Sequence, residues 1–195
     1  MKKWIIPIIL IAVIIFWGMG VNNKAVSFEE GISNSWANVE SSYQRRNDLI
    51  GNLVKTVQGA ADFERGTLTD VIEARAKATS VNIDANNLTA ESIAAFQDAQ
   101  SGLSGALSRL LVSVERYPEL KANQNFLELQ SQLEGTENRI NIARDRFNAE
   151  VRPYNEYIRK VPTRFVAGLL GFEPKEYFKS DEGSEKAPDV DFNFE

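Results

Sequence analysis

Cysteine and histidine are both missing from this sequence. Their absence removes disulfides, thiol nucleophiles, Cys/His zinc sites, Ser-His-Asp triads and imidazole acid–base catalysis. Carboxylate-only metal sites and Lys or Tyr chemistry stay open. No residue presents itself as catalytic, cofactor-binding or metal-ligating, so the expectation is a protein that is not an enzyme and carries no cofactor. A chain without cysteine is compatible with either side of a membrane, and its redox compartment is not readable. Positive charge is also in deficit: 22 Lys and Arg stand against 27 Asp and Glu, a net −5. No basic run with interleaved aromatics occurs, which argues against a nucleic-acid partner. Proline is sparse, with none between Pro7 and Pro118, and that long interval is free to be helical. No strand pattern is evident, so no Gly-rich loop follows a strand and phosphate-loop chemistry has no support.

What the chain does have is one long apolar run. Met1-Lys2-Lys3 precedes Trp4 to Val21, 18 residues without a charge. At about 1.5 Å per residue the run reaches roughly 27 Å, just enough to cross a hydrocarbon core. Trp4 and Trp17 stand near its two ends, where amphipathic rings anchor at headgroup level. Pro7 falls in the first turn, where a missing N–H costs least. A cleaved signal peptide is the competing reading. Against it, the run exceeds a usual h-region, Gly18-Met19-Gly20 is the only small-residue cluster, and no A-x-A-like site follows. Lys2, Lys3 and the α-amine precede the run and Lys24 alone closely follows it. The positive-inside rule then places the N-terminus in the cytoplasm and the bulk domain outside.

Ser27-Phe28-Glu29-Glu30 has the S-x-x-E form that opens a helix. Ile32, Trp36, Val39, Tyr43, Ile50, Leu53 and Val57 then recur at spacings of 3 and 4, with Arg46 filling the missing turn. This is the seam of a helix packed against helices. It continues more weakly through Ala60, Phe63, Val71 and Ala74 to about Ala78. Gly31, Gly51, Gly59 and Gly66 make tertiary packing necessary to hold this helix, which is free to bend near Gly59–Gly66. Ser80 to Leu88 reads as a connection, and Thr89 caps a second helix with Ile93, Phe96, Leu103, Leu107, Leu110 and Val114 inward. Tyr117-Pro118 ends it. A third helix begins near Ala122–Asn125 and carries Phe126, Leu129, Leu133, Ile140, Ala143, Phe147, Val151, Tyr154 and Ile158. Pro153 is expected to kink or break it. Val161-Pro162 ends it. A short amphipathic helix, Arg164 to Leu170, stops at Gly171.

The expected fold class is therefore all-α: an N-terminal transmembrane helix followed by an antiparallel bundle, three main helices plus a short C-terminal one. Its expected division is a transmembrane anchor over 1–24, a helical bundle over 25–178 and an acidic flexible tail over 179–195. That tail has six acids and two lysines. Phe192 and Phe194 at its end leave open a short docking peptide.

Polar residues interrupt the apolar stripes at Arg45-Arg46-Asn47-Asp48, Thr136-Glu137-Asn138-Arg139, Arg144-Asp145-Arg146, Asn148 and Tyr154-Asn155. If the first and third helices are antiparallel neighbours, Arg46 faces Glu137. A ligand or metal site in a bundle core is one reading of such clusters. With no histidine and no repeated Glu spacing, a charge network that sets helix register is the better one.

Several of these segments, in order, resemble the LemA family. They are Trp36 to Glu40, Arg45 to Val54, Val71 to Ala76, Tyr117 to Asn123, Thr136 to Ile140, Ala143-Arg144, Phe147-Asn148 and Tyr154-Asn155. The resemblance implies a bacterial or archaeal inner-membrane protein with one N-terminal span and an antiparallel helical bundle. It implies no known enzymatic activity. Through a relative that acts in forming magnetosome membranes, it suggests assembly at a membrane. Relatives are often assigned the opposite topology, with the bulk inside. Gly51 stands where the family commonly has proline, and Pro153 where relatives usually continue the helix. Together these readings make the lipid bilayer a partner and point to a self-assembling scaffold, a homo-oligomer. Trp36, Phe63 and Phe165 cannot all be central in one small bundle. A sensor or adaptor for a membrane-protein partner, such as a protease or transporter component, is the alternative.

Overall fold

The structure, a computed structural model, describes residues 2–59, 64–85 and 88–179, with side chains from residue 5 onward. Helix α1 (Lys2–Gln58) is 57 residues long, roughly 85 Å at the usual rise. It is followed by α2 (Arg65–Ser80), α3 (Ala90–Val114), the single turn α4 (Pro118–Lys121), α5 (Gln124–Arg159) and α6 (Thr163–Leu169). The chain is all-α among the described residues, as the sequence implies.

Helix α1 corrects the first expectation. No helix opens at Ser27; one continuous helix carries both the apolar run and the bundle seam. A capping residue acts only where the preceding backbone leaves the helix. Here Val21 and Ala25 are already buried about three and two turns before Ile32, so the packed stripe holds the backbone helical through Ser27. The exposed segment Ile5–Trp17 projects beyond the bundle. An 18-residue window in α1 has mean hydropathy 2.4 and is only 6% buried. It is therefore long and apolar enough to cross a membrane and is not a core helix.

A second difference lies at the glycines. The first helix does not continue to Ala78; it ends at Gln58, and α2 runs back along α1. Arg75 of α2 meets α1 at Asn47 and Gly51, which fixes the antiparallel sense. α3 then runs parallel to α1, meeting it at Trp36–Phe96 and Arg46–Gln100, and α5 antiparallel to it, at Glu29–Tyr154 and Arg46–Glu137. The distal half of the bundle thus has four helices where three were expected. Ala60, Phe63, Asn86, Asn87 and tail residues 180–195, with Phe192 and Phe194, lie outside the described residues.

The remaining boundaries follow local signals. Thr89 caps α3, its hydroxyl accepting from Ser92 N at 3.2 Å. Asn123 Oδ1 accepts from Asn125 N and Phe126 N at the start of α5. Gly171 takes φ +79° just past α6, a conformation strained for other residues. Pro153 neither ends nor interrupts α5. A proline inside a helix costs about 3 kcal/mol. Val151, Tyr154 and Ile158 are buried around it, and at roughly 1.5–3 kcal/mol for a buried large apolar side chain their packing offsets that cost.

The core falls into two clusters. The membrane-proximal one gathers Ile32, Trp36, Val39, Tyr43, Phe96, Ile140, Phe147, Val151 and Tyr154. The distal one gathers Ile50, Leu53, Val57, Val71, Leu103, Leu110, Phe126 and Leu133. A layer of polar side chains lies between them.

Candidate functional site

Two polar constructions stand out, and α5 contributes to both. The first is the layer between the two core clusters. Arg46 occupies a seam position of α1, so its side chain is carried inward, where it is only 4% exposed. One guanidinium nitrogen donates to Gln100 Oε1 at 2.5 Å. The other donates to Ser104 Oγ at 3.1 Å and to Glu137 Oε2 at 3.1 Å. The Tyr43 ring lies 4.9 Å from the guanidinium carbon. The pairing of Arg46 with Glu137 is the one expected from the spacing. It is asymmetric, because the Glu137 side chain is 52% exposed. Burial of the cation is therefore compensated mainly by α3, from Gln100 and Ser104. Among the described residues, Arg46 Nε and Asn47 Oδ1 are buried without a hydrogen-bond partner. A cavity of about 160 Å³ opens beside the layer, lined by Tyr43, Arg46, Gln100, Ser104, Glu137 and Arg144 among others.

Arg75 completes the layer from α2. Its Nε donates to the Asn47 carbonyl at 2.8 Å, and its guanidinium lies flat over Gly51, where an added Cβ would come within 3.3 Å. Asn47 O is the acceptor that a proline at position 51 would leave without an intrahelical donor. With glycine there, α1 passes through unbroken.

The second construction was not read from the sequence. After α6 the chain does not leave the bundle: residues 172–179 run extended along α5. Asn155 and Asn148 each grip this strap with both ends of the side-chain amide. Asn155 Nδ2 donates to Lys175 O at 2.8 Å and its Oδ1 accepts from Lys175 N at 2.9 Å. Asn148 does the same with Phe178, at 3.0 and 2.9 Å. The spacing is a physical match. Seven helical residues rise about 10.5 Å, and three extended residues span about 10 Å. Arg144 and Gln97 both donate to the Lys179 carbonyl. Phe178 enters the core beside Trp36, stacked at 5.8 Å, and Phe147 at 5.4 Å. Arg144, Asn148 and Asn155 of α5 are thus consumed by the protein's own C-terminal segment. Two tandem signals pointed that way: amides inside a buried stripe, and aromatics at Tyr177 and Phe178 beyond Pro174.

At the membrane-proximal end of the strap, the Tyr154 hydroxyl lies 2.9 Å from Glu173 O and 3.1 Å from Glu29 Oε1. Lys175 Nζ pairs with the same Glu29 oxygen at 3.3 Å. Burial, and then the Glu29 carboxylate beside it, hold the Tyr154 hydroxyl well above the ordinary tyrosine range. On the surface nearby, the hydrogen bond from Lys160 lowers the Glu156 carboxyl.

The Tyr154 shift has a testable sign. An unfolded tyrosine releases its proton near pH 10, and the folded one retains it well above that. The associated stability is therefore complete below about pH 10 and is lost as pH rises further. Urea midpoints followed across this range should fall more steeply for the natural chain than for Tyr154→Phe. Equal slopes would show that the hydroxyl ionises as freely folded as unfolded.

Chemically, neither construction resembles a reaction centre. Among the described residues, no group of three or more Asp and Glu side chains is placed to hold a metal ion.

Comparison with known proteins agrees with this architecture. The LemA family model matches residues 35–192. Magnetosome protein MamQ of Magnetospirillum gryphiswaldense is 28% identical over 173 residues, covering 80% of this chain and 64% of MamQ. Magnetosome protein MamQ 2 of Paramagnetospirillum magneticum is likewise 28% identical, over 174 residues with the same coverage. Protein LemA of Metamycoplasma hominis is 22% identical over 175 residues, covering 90% of this chain and 76% of that protein. The chain thus spans less than two thirds of the length of the MamQ relatives, and none of these names is that of an enzyme. With its apolar N-terminal helix and polar-layered bundle, the chain belongs to the LemA family and is a membrane-associated helical protein.

Proposed function

We propose that this protein is a structural scaffold of a bacterial inner membrane, self-assembling through its bundle, with no catalytic role. The observation that carries the reading is the continuity of α1. One helix passes from the apolar span into the bundle core without a hinge, and Val21 and Ala25 are buried directly after the span. The bundle is therefore held at a set angle and height above the bilayer. Copies of such a body are confined to one plane with their faces aligned, which raises their effective concentration, so weak contacts suffice for order. Contacts between unlike faces close into rings when the rotation permits. Ile72, Val112, Leu127 and Ile142 are apolar and exposed on the bundle surface, available for such contacts. The MamQ relatives are named for the magnetosome, which accords with work at a membrane. The flanking charges favour a cytoplasmic N-terminus and a bundle outside.

One variant, Glu128→Cys on the exposed face of α5, tests both parts in a chain with no other cysteine. In intact cells an impermeant maleimide should label it; protection until the membrane is broken would reverse the orientation. The same protein, purified in mild detergent, should scatter light as a uniform homo-oligomer. A monomer at concentrations near those in the membrane would defeat the scaffold and favour an adaptor that binds another membrane protein.

A further inference from the structure

We infer that α6 is a lipid-facing foot, lying in the headgroup region of the bilayer that α1 enters, with Val161, Phe165 and Leu169 among lipid. The inference rests on the α1 span and is independent of self-association.

The position of α6 along α1 comes first. α6 packs against both α5 and α1, and a Cβ built on Gly18 would lie 3.9 Å from Val166 Cγ1. Gly18 stands inside the uncharged run, three residues before its end at Val21, or roughly 4.5 Å along the axis. The turn from α5 therefore brings α6 alongside the end of the span.

The pattern of exposure comes second. Ala167 is buried at 1%, while Val161, Phe165 and Leu169 are 72%, 73% and 87% exposed. Phe165 and Leu169 lie four apart within α6 and so project to the same side, and Val161 stands in the turn just before the helix. Elsewhere on the bundle, exposed apolar residues are scattered singly, as is normal for a protein surface. Here three lie within nine residues, and α6 meets α1 at Gly18, next to the exposed flank of α1 from Ile5 to Phe16. That adjacency identifies the occupant as lipid: whatever solvates the span also meets α6.

Charge is the third element. Arg159, Lys160 and Arg164 flank the apolar residues, and on α1 Lys24 stands at this level, its Nζ 5.6 Å from the Tyr157 ring. Glu156 takes up Lys160. A rim of cations around a patch of Phe, Leu and Val is the composition of an interfacial segment, in which apolar side chains reach the acyl boundary and cations meet anionic headgroups.

Single cysteines test this in the full chain. Phe165→Cys, Leu169→Cys, Val112→Cys and Ile11→Cys would each be labelled with the fluorophore NBD and reconstituted in phosphatidylcholine–phosphatidylglycerol vesicles. The labels at 165 and 169 should emit to the blue of the label at 112. Lipids carrying a nitroxide near the headgroup should quench them several-fold more, and aqueous iodide several-fold less. The label at 11 should respond to nitroxides deep in the acyl chains; if it does not, the span itself is wrong, which is a separate failure. Labels at 165 and 169 that behave like the label at 112 would overturn the proposal. So would protection that vanishes as protein is diluted in lipid, which would assign the patch to a second copy of the chain.

Discussion

Phe178→Ala is expected to destabilise the folded protein by about 3–5 kcal/mol, the usual range for a buried phenylalanine. Phe178 is 4% exposed, and its ring touches Trp36, Phe96 and Phe147 from three helices. Its truncation opens a cavity in the middle of the membrane-proximal core. It also frees the strap, because Phe178 is the only strap residue buried in that cluster. Urea unfolding in a fixed detergent, followed by circular dichroism, measures the loss. Asn148→Ala and Asn155→Ala provide the comparison. Each strands a strap N–H and carbonyl, at roughly 1–3 kcal/mol for a buried group left unsatisfied. A loss below about 1 kcal/mol for Phe178→Ala would mean that the strap is a passive cover rather than part of the core.

Arg46→Ala is expected to cost on the order of 3 kcal/mol, since it removes the cation around which the polar layer is built and leaves its partners facing a void. Glu137→Ala should cost under about 1 kcal/mol, as for an exposed ion pair. Glu137 is half in water, and Arg46 retains Gln100 and Ser104. The double variant should lose less than the sum, because the two side chains meet at 3.1 Å. Strict additivity in the double-mutant cycle would show that they do not interact. Equal costs for the two single variants would show that Glu137, not α3, compensates the buried charge. A layer of this kind reads as a register device. Sliding α1 by one turn would carry Arg46 into one of the apolar clusters, where it finds no acceptor.

Much of this architecture was legible in the chain because it is periodic or local. Ile32, Trp36, Val39, Tyr43, Ile50, Leu53 and Val57 are all buried, as a stripe at spacings of 3 and 4 requires. The cap at Thr89 depends on a residue three positions away, and the Arg46–Glu137 contact follows from antiparallel counting along two stripes.

Three features were settled only by contacts distant in sequence. Ser27 carries a capping pattern, yet burial of Val21 and Ala25 keeps the backbone helical there. Local preference yields where packing on both sides of a residue is already fixed. The return of α2 along α1 is held by the side chains that α2 buries, Leu68, Val71 and Ala78. The strap depends on Tyr154 meeting Glu29 across 125 positions, and on two amides two turns apart matching an extended backbone. Periodicity identifies which side of α5 faces inward. It carries no information about which distant segment comes to lie against it, because that choice is made by the free energy of the assembled core rather than by any run of neighbouring residues.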